Sequence, residues 1–193
     1  VIGLTGPNAS GKGEVAKLLS EAGFALHSLS DIVREAAAAR GLDGTRDNLI
    51  AVGVSLRVEE GPGVLAARIL PRLGGRAVVD SIRGPAEVAR LRTLPRFILL
   101  GIDAPVNLRF ERAQRRGRLG EGASLEDFIH KEERENSEVE TGQQLRRTLA
   151  LADRVIRNDG TLDDLRRNVG RALAEIEAVL PARRTVRDQE PVR

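Results

Sequence analysis

The run Gly6-Pro7-Asn8-Ala9-Ser10-Gly11-Lys12-Gly13 has the residue types and spacing of a loop that holds phosphate. In the pattern Gly-x-x-x-x-Gly-Lys the two glycines let the backbone curl until its N–H groups converge on an anion. Lys12 adds a positive charge for the outer phosphates, and a helix starting there adds the positive end of its dipole. The predicted ligand is a nucleoside triphosphate, in contact with every residue from Gly6 to Gly13. One position departs from the common form: Gly13 stands where a Ser or Thr hydroxyl ordinarily meets Mg²⁺. The metal is then expected to be held through water and a carboxylate further along. Glu14, next in line, is counted with the nucleotide-binding residues.

A second tier of chemistry lies where short apolar runs end. Asp80 closes Ala77-Val78-Val79, a place from which a carboxylate holds Mg²⁺ through its water, and Arg83 can reach a phosphate. Ser30, Asp31 and Arg34 follow Phe24–Ser28 and are expected beside an acceptor substrate, although Ser30 or Asp31 could equally cap a helix. Arg109, Arg112 and Arg116 recur at i, i+3 and i+7, on one helical face. Such a face can neutralise a phosphoryl group in transfer; the alternative is a solvated face with Glu111. Gly117–Gly122, with the helix carrying Lys131 and Arg134, is expected to form a lid over about 117–140. His27 and His130 lie far apart, without metal-ligand spacing or a Ser-His-Asp arrangement.

These residues need elements to position them. Strands are expected at Val1–Thr5, Phe24–Ser28, Arg76–Asp80, Arg96–Ile102 and Arg154–Arg157. Helices are expected at Lys12–Glu21, Asp31–Arg40, Arg46–Glu60, Val64–Leu73, Pro85–Leu94, Pro105–Arg116, Leu125–Asn136, Gln143–Ala152 and Leu162–Leu180. Pro105 suits a first helical turn. Short apolar strands separated by helices imply an α/β protein with a parallel sheet covered on both faces. Ligands of such sheets sit beyond the carboxyl ends of the strands, where Lys12, Ser30, Asp31 and Asp80 fall.

Composition narrows the classes. The 193 residues suit one domain, expected over 1–180, with 181–193 a flexible tail or linker and a fused or associated domain possible beyond it. Apolar residues are 41% and charged residues 31%, a globular balance. Without Cys there is neither disulfide nor thiolate metal site. Met is missing even at position 1, which points to a trimmed start. No stretch reaches the length of a membrane span and no signal peptide shows, so a cytoplasmic location without membrane contact is expected. Aromatics are 2%, and the net charge of +3 comes from interleaved acidic and basic residues. Both argue against a nucleic-acid platform, which needs stacking rings and a segregated basic surface.

With these motifs in view, the chain resembles the nucleoside monophosphate kinases, adenylate kinase above all. The shared features are the Gly-Lys-Gly loop, Ser30-Asp31-x-x-Arg34, Asp80-x-x-Arg83 and Arg112-x-x-x-Arg116. The back end, Ala152-Asp153-x-x-Ile156-x-Asn158-x-Gly160, is instead similar to dephospho-CoA kinase, where that stretch contacts adenine. The whole chain to about Leu180 looks closest to a largely archaeal group of P-loop kinase-like proteins related to both. Ser81 and Glu14 depart from the adenylate kinase pattern, which has Gly and Thr there, and that family's zinc or strand insert in the lid is absent.

The resemblance implies a P-loop NTPase fold: a three-layer α/β/α sandwich with five parallel strands ordered 2-3-1-4-5 and a helical lid. It implies transfer of the ATP γ-phosphoryl group, with Mg²⁺, to a nucleotide acceptor. In that reading Lys12 and the loop hold ATP, Asn158 meets the base and Asp80 organises the metal. Arg112 and Arg116 stabilise charge in flight, and Ser30, Arg34 and Arg83 anchor the acceptor. A phosphate acceptor requires no base; a hydroxyl acceptor, as in dephospho-CoA, does, and Asp31 is the candidate. The rival from another class is a nucleotide-binding regulator or sensor without turnover.

Overall fold

A computed structural model describes residues 1–117 and 124–179. The predicted tail at 181–193 and positions 118–123 of the predicted lid lie outside the described residues. The strands are β1 (Ile2–Thr5), β2 (Ala25–Ser28), β3 (Ala77–Asp80), β4 (Ile98–Asp103) and β5 (Arg154–Arg157). Around them run α1 (Lys12–Glu21), α2 (Leu29–Ala39), α3 (Arg46–Glu60), α4 (Val64–Ile69), α5 (Pro85–Leu91), α6 (Val106–Arg116), α7 (Leu125–Glu135), α8 (Leu145–Ala150) and α9 (Leu162–Val179).

All four strand pairings are parallel, and the order is β2-β3-β1-β4-β5. Period-two alternation sends successive side chains to opposite faces, so β3 and β4 each feed two cores. Ile2, Leu4, Val78, Leu100 and Ile102 pack with Val15 and Leu19 of α1 and with Leu165, Val169 and Ile176 of α9. Val79, Leu99 and Ile82 pack on the other face with Leu29, Ile32 and Val33 of α2, Leu56 of α3, Leu65 and Ile69 of α4, and Val88 and Leu91 of α5. The result is the three-layer α/β/α sandwich. The central strand β1 has β3 on one side and β4 on the other, so the chain reverses its winding direction beside β1. Crevices at such switch points are where open parallel sheets take ligands. The phosphate-type loop leaves β1 there.

Local chemistry moves several expected boundaries. Ser28 caps α2, its Oγ accepting from Ser30 N at 3.3 Å, so the helix starts at Leu29 and neither Ser30 nor Asp31 is the cap. Pro71 cannot extend an α-helix; the expected helix over 64–73 therefore closes as α4 followed by a 3₁₀ turn at Leu70–Arg72. Pro105 is the residue before α6, with extended ψ of 140°, and not part of its first turn. Helices α5 and α8 are shorter than expected, ending at Leu91 and Ala150.

Candidate functional site

The loop between β1 and α1 has the backbone a phosphate cradle needs. Gly6 has φ +143°, and a Cβ there would lie 2.1 Å from the Ile102 carbonyl oxygen. Gly11 has φ +105°, and a Cβ there would lie 2.1 Å from Asn158 Nδ2. Only glycine fits either place. Between them Ala9 takes φ +55°, an uncommon conformation for a residue with a Cβ, and is buried in a cluster with Ala113 and Phe128.

Lys12 opens α1 beneath this loop. Its Nζ donates to the carbonyls of Gly6 and Pro7, each at 2.8 Å. Burial pulls its pKa down from 10.5 to about 8; the Asp80 carboxylate opposes that shift, while Arg83, Arg116 and Arg109 reinforce it. The neighbourhood thus holds one lysine and three arginines in a field shared with Asp80. Such a surplus of cations suits a polyanionic ligand.

Three polar atoms are buried here without a partner: Ser10 Oγ, Asp80 Oδ1 and Arg112 Nη1. Leaving such an atom unmade costs about 1–3 kcal/mol. All three flank the loop or the strand ends beside it. A phosphate-bearing ligand with a hydrated cation supplies what each lacks: acceptors for Arg112 and the Ser10 hydroxyl, and a donor or positive charge for Asp80. The residues present therefore fit a nucleotide with Mg²⁺, and Asp80 is the carboxylate that would hold the metal. Among the described residues no group of three or more His, Cys, Asp or Glu forms a metal cage. Few protein ligands is the normal situation for Mg²⁺ beside phosphates.

Asn158, just after β5, ties the site together. Its Nδ2 donates to Ser10 O at 2.8 Å, and Arg112 Nη2 donates to its carbonyl oxygen at 3.0 Å. A cavity of about 270 Å³ opens beside this junction, lined by Gly11, Glu14, Arg112, Arg116, Asn158 and Leu162 among others. Desolvation holds the Arg112 pKa below its usual value, with Arg116 and Arg115 adding to the effect.

The predicted arginine face does not act as one clamp. Arg109 is buried, donating from Nε to Ala104 O at 3.0 Å and from Nη1 to Asn8 O at 3.2 Å, and it is ion-paired with Glu132 of α7. Phe128 of the same helix is fully buried against Phe110 and Ala9. The expected lid helix is thus docked on the loop through Arg109 and Phe128. Only Arg112 and Arg116 of the three reach the cavity.

On the opposite side, Asp31 and Arg34 pair with each other at 2.6 Å on the exposed first turn of α2. Ser28 Oγ donates to Ser81 Oγ at 3.2 Å, joining the ends of β2 and β3. Ser81 has φ +65°, which explains why the related pattern places Gly there. Arg83 Nη1 donates to Gln143 Oε1 at 2.8 Å, and Arg83 O accepts from Gln144 N at 2.8 Å. Glu87, fully buried, accepts from Arg83 N at 2.8 Å and Gly84 N at 3.0 Å with one oxygen, and from Arg57 of α3 at 2.9 Å with the other. The sequence reading missed Arg57, Glu87, Gln143 and Gln144. Glu87, three residues after the N-cap Gly84, is a Glu placed to accept from the cap's own N–H, half of a capping box; the others carried no signal.

The fold and this loop define a P-loop kinase-like protein. A shikimate kinase from Acinetobacter baumannii is superposed with a TM-score of 0.54 over 92% of this chain and 93% of that one, at 16% identity, and so shares the fold. The TT1252 protein from Thermus thermophilus has a TM-score of 0.58 at 25% identity, over 90% and 96% of the two chains. A family model described as an AAA domain matches residues 2–143. A UPF0200 protein of Pyrococcus horikoshii is 34% identical over 185 residues, covering 91% of this chain and 97% of that one. The chain belongs to the UPF0200 family and carries this AAA domain.

No helix among the described residues is long and apolar enough to cross a membrane.

Proposed function

We propose that this protein is an ATP-dependent phosphotransferase that passes the γ-phosphoryl group to a small nucleotide acceptor, in the manner of nucleoside monophosphate kinases. The observation that carries this reading is the convergence on Lys12 of Asp80, Arg83 and Arg116, beside three buried polar atoms that lack partners. In this reading Lys12 and the loop amides from Gly6 to Gly13 bind the triphosphate, and Asn158 shapes the nucleoside pocket. Arg112 and Arg116 face the cavity and stabilise negative charge as the phosphoryl group leaves. Asp80 holds Mg²⁺, which when bound neutralises charge on the phosphate oxygens. Arg83, fixed by Gln143 and Glu87, anchors the acceptor's own phosphate, with Ser30 and Arg34 on the far wall.

The state of Asp31 favours a phosphate acceptor over a hydroxyl. It is solvent-exposed and already pairs with Arg34 at 2.6 Å. A carboxylate so placed is held by the guanidinium and is not aimed at an acceptor hydroxyl, as a general base must be. A phosphate acceptor is already nucleophilic and needs no base. Asp31→Asn is therefore expected to leave turnover on a monophosphate within several-fold of the parent; dephospho-CoA-type transfer to a ribose hydroxyl would lose it.

The test is ADP formation from Mg-ATP against AMP, CMP, UMP, dCMP, GMP, dephospho-CoA and shikimate, with Lys12→Ala as control. Turnover with one monophosphate, abolished in Lys12→Ala, supports the reading. Turnover only with dephospho-CoA moves it to the dephospho-CoA kinase type, and turnover only with shikimate to a sugar-like hydroxyl acceptor. Tight ATP binding with silence across the panel refutes the kinase and leaves a nucleotide sensor.

A further inference from the structure

We propose that Glu14 reads the ribose of the bound nucleotide, making the site selective for ribonucleoside over deoxyribonucleoside triphosphates. The inference rests on the nucleotide-binding part of the reading above. Glu14 stands in the first turn of α1, two residues after Lys12, where the phosphate loop ends. It lines the cavity shared by Gly11, Arg112, Arg115, Asn158, Gly160 and Leu162, a lining that does not include Asp80. Among the described residues it is the only acidic one of that lining, against three arginines.

A carboxylate in that position calls for a ligand-side explanation. Its place in the first turn favours the helix dipole, as any acidic residue there would. Next to a site for three phosphates, however, the same charge repels the ligand, and a donor on the ligand facing it offsets that repulsion. A nucleoside triphosphate carries donors on the sugar hydroxyls and on the base. The sugar lies between phosphates and base, and Glu14 stands two residues after Lys12, next to the phosphate loop. Gly160, Leu162 and Leu165, beyond β5, give the same cavity apolar lining suited to the flat face of a base. A carboxylate accepting from ribose hydroxyls is a recurrent way to recognise that sugar. Hydrogen bonds to a charged acceptor are among the stronger ones, so losing one shifts affinity by about 10-fold or more.

Calorimetric titration of the full chain with ATP, 2′-deoxy-ATP, 3′-deoxy-ATP and inosine triphosphate tests this without any need for turnover. The parent is expected to bind ATP at least about 10-fold more tightly than one of the two deoxy forms. Glu14→Ala is expected to erase that preference, and Glu14→Gln to reduce it. Equal binding of ATP and both deoxy forms by the parent overturns the proposal, as does a preference that survives in Glu14→Ala. A change confined to the ratio of ATP to inosine triphosphate overturns it as well, and assigns Glu14 to the base. Lys12→Ala separates the two levels. If it leaves ATP affinity unchanged, or if the parent binds no triphosphate, the nucleotide site itself fails; otherwise only the role of Glu14 is at stake.

Discussion

Changing Glu87 to Gln keeps volume and shape but removes a charge from the interior. The carboxylate is fully buried and serves three donors: Arg57 at 2.9 Å and the backbone N–H groups of Arg83 at 2.8 Å and Gly84 at 3.0 Å. Without it the buried guanidinium keeps Gly53 O, at 3.1 Å. Breaking a buried ion pair from one side costs about 3–5 kcal/mol, because the remaining charge stays in low dielectric. For a domain of this size each kcal/mol lowers Tm by about 2–4 °C, so a fall of roughly 6–20 °C is expected. Arg57→Met is expected to be milder, since Glu87 retains both backbone donors. Both variants are measured by urea unfolding followed by far-ultraviolet circular dichroism, the chain having neither Trp nor Tyr for fluorescence. A Glu87→Gln loss under about 1 kcal/mol, or a larger loss in Arg57→Met, would refute the claim that Glu87 is the hub of this network.

Other expectations follow from the same structure. Lys12 has a folded pKa of about 8, below its ordinary 10.5. Between those values the unfolded chain holds more protons, so the stability of the nucleotide-free protein should rise with pH through that window, and Lys12→Met should flatten the rise. A bound triphosphate favours the charged lysine, so near pH 8 binding should take up protons and affinity should fall as pH rises; calorimetry in buffers of differing ionisation enthalpy reads this directly. Ser81→Gly, at φ +65°, should stabilise the fold by up to about 1 kcal/mol despite the lost contact to Ser28, whereas Ser81→Val should destabilise it. Phe128→Ala should cost about 3–5 kcal/mol of local stability, seen as faster amide exchange across α7 with β1 and β3 little changed.

The sheet was legible because its signal is local. Runs such as Ala77-Val78-Val79 and Ile98-Leu99-Leu100 are apolar on both faces, as buried parallel strands must be. The loop was legible because glycine at Gly6 and Gly11 and the lysine between turn and helix are each demanded by geometry. The strand order came from the resemblance to kinases, not from any pattern in the residues. What stayed hidden depends on long-range pairing. Arg109 looks like its neighbours Arg112 and Arg116 in spacing, and only the approach of Glu132 and Asn8 removes it from the arginine face. Arg57 reads as one more surface charge on α3 until α5 brings Glu87 against it. Ser28 took the capping role from Ser30 and Asp31 because the helix starts two residues earlier than its apolar pattern suggests.

The phosphate-type loop occupies the first dozen residues, yet its supports are supplied last. Asn8 waits for Arg109, 101 residues later, and Ser10 for Asn158, 148 residues later. During synthesis, then, a nascent chain has made most of its sheet before the loop can be shaped. Long-range closure of this kind is slow, and exposed intermediates are prone to association. A nucleotide cannot rescue a partly made chain, because what it would bind is not yet built. It can only trap the molecule once Asn158 and the α9 residues that close the core over α1 are both present, so nucleotide protection against proteolysis should appear only in C-terminal truncations that retain both.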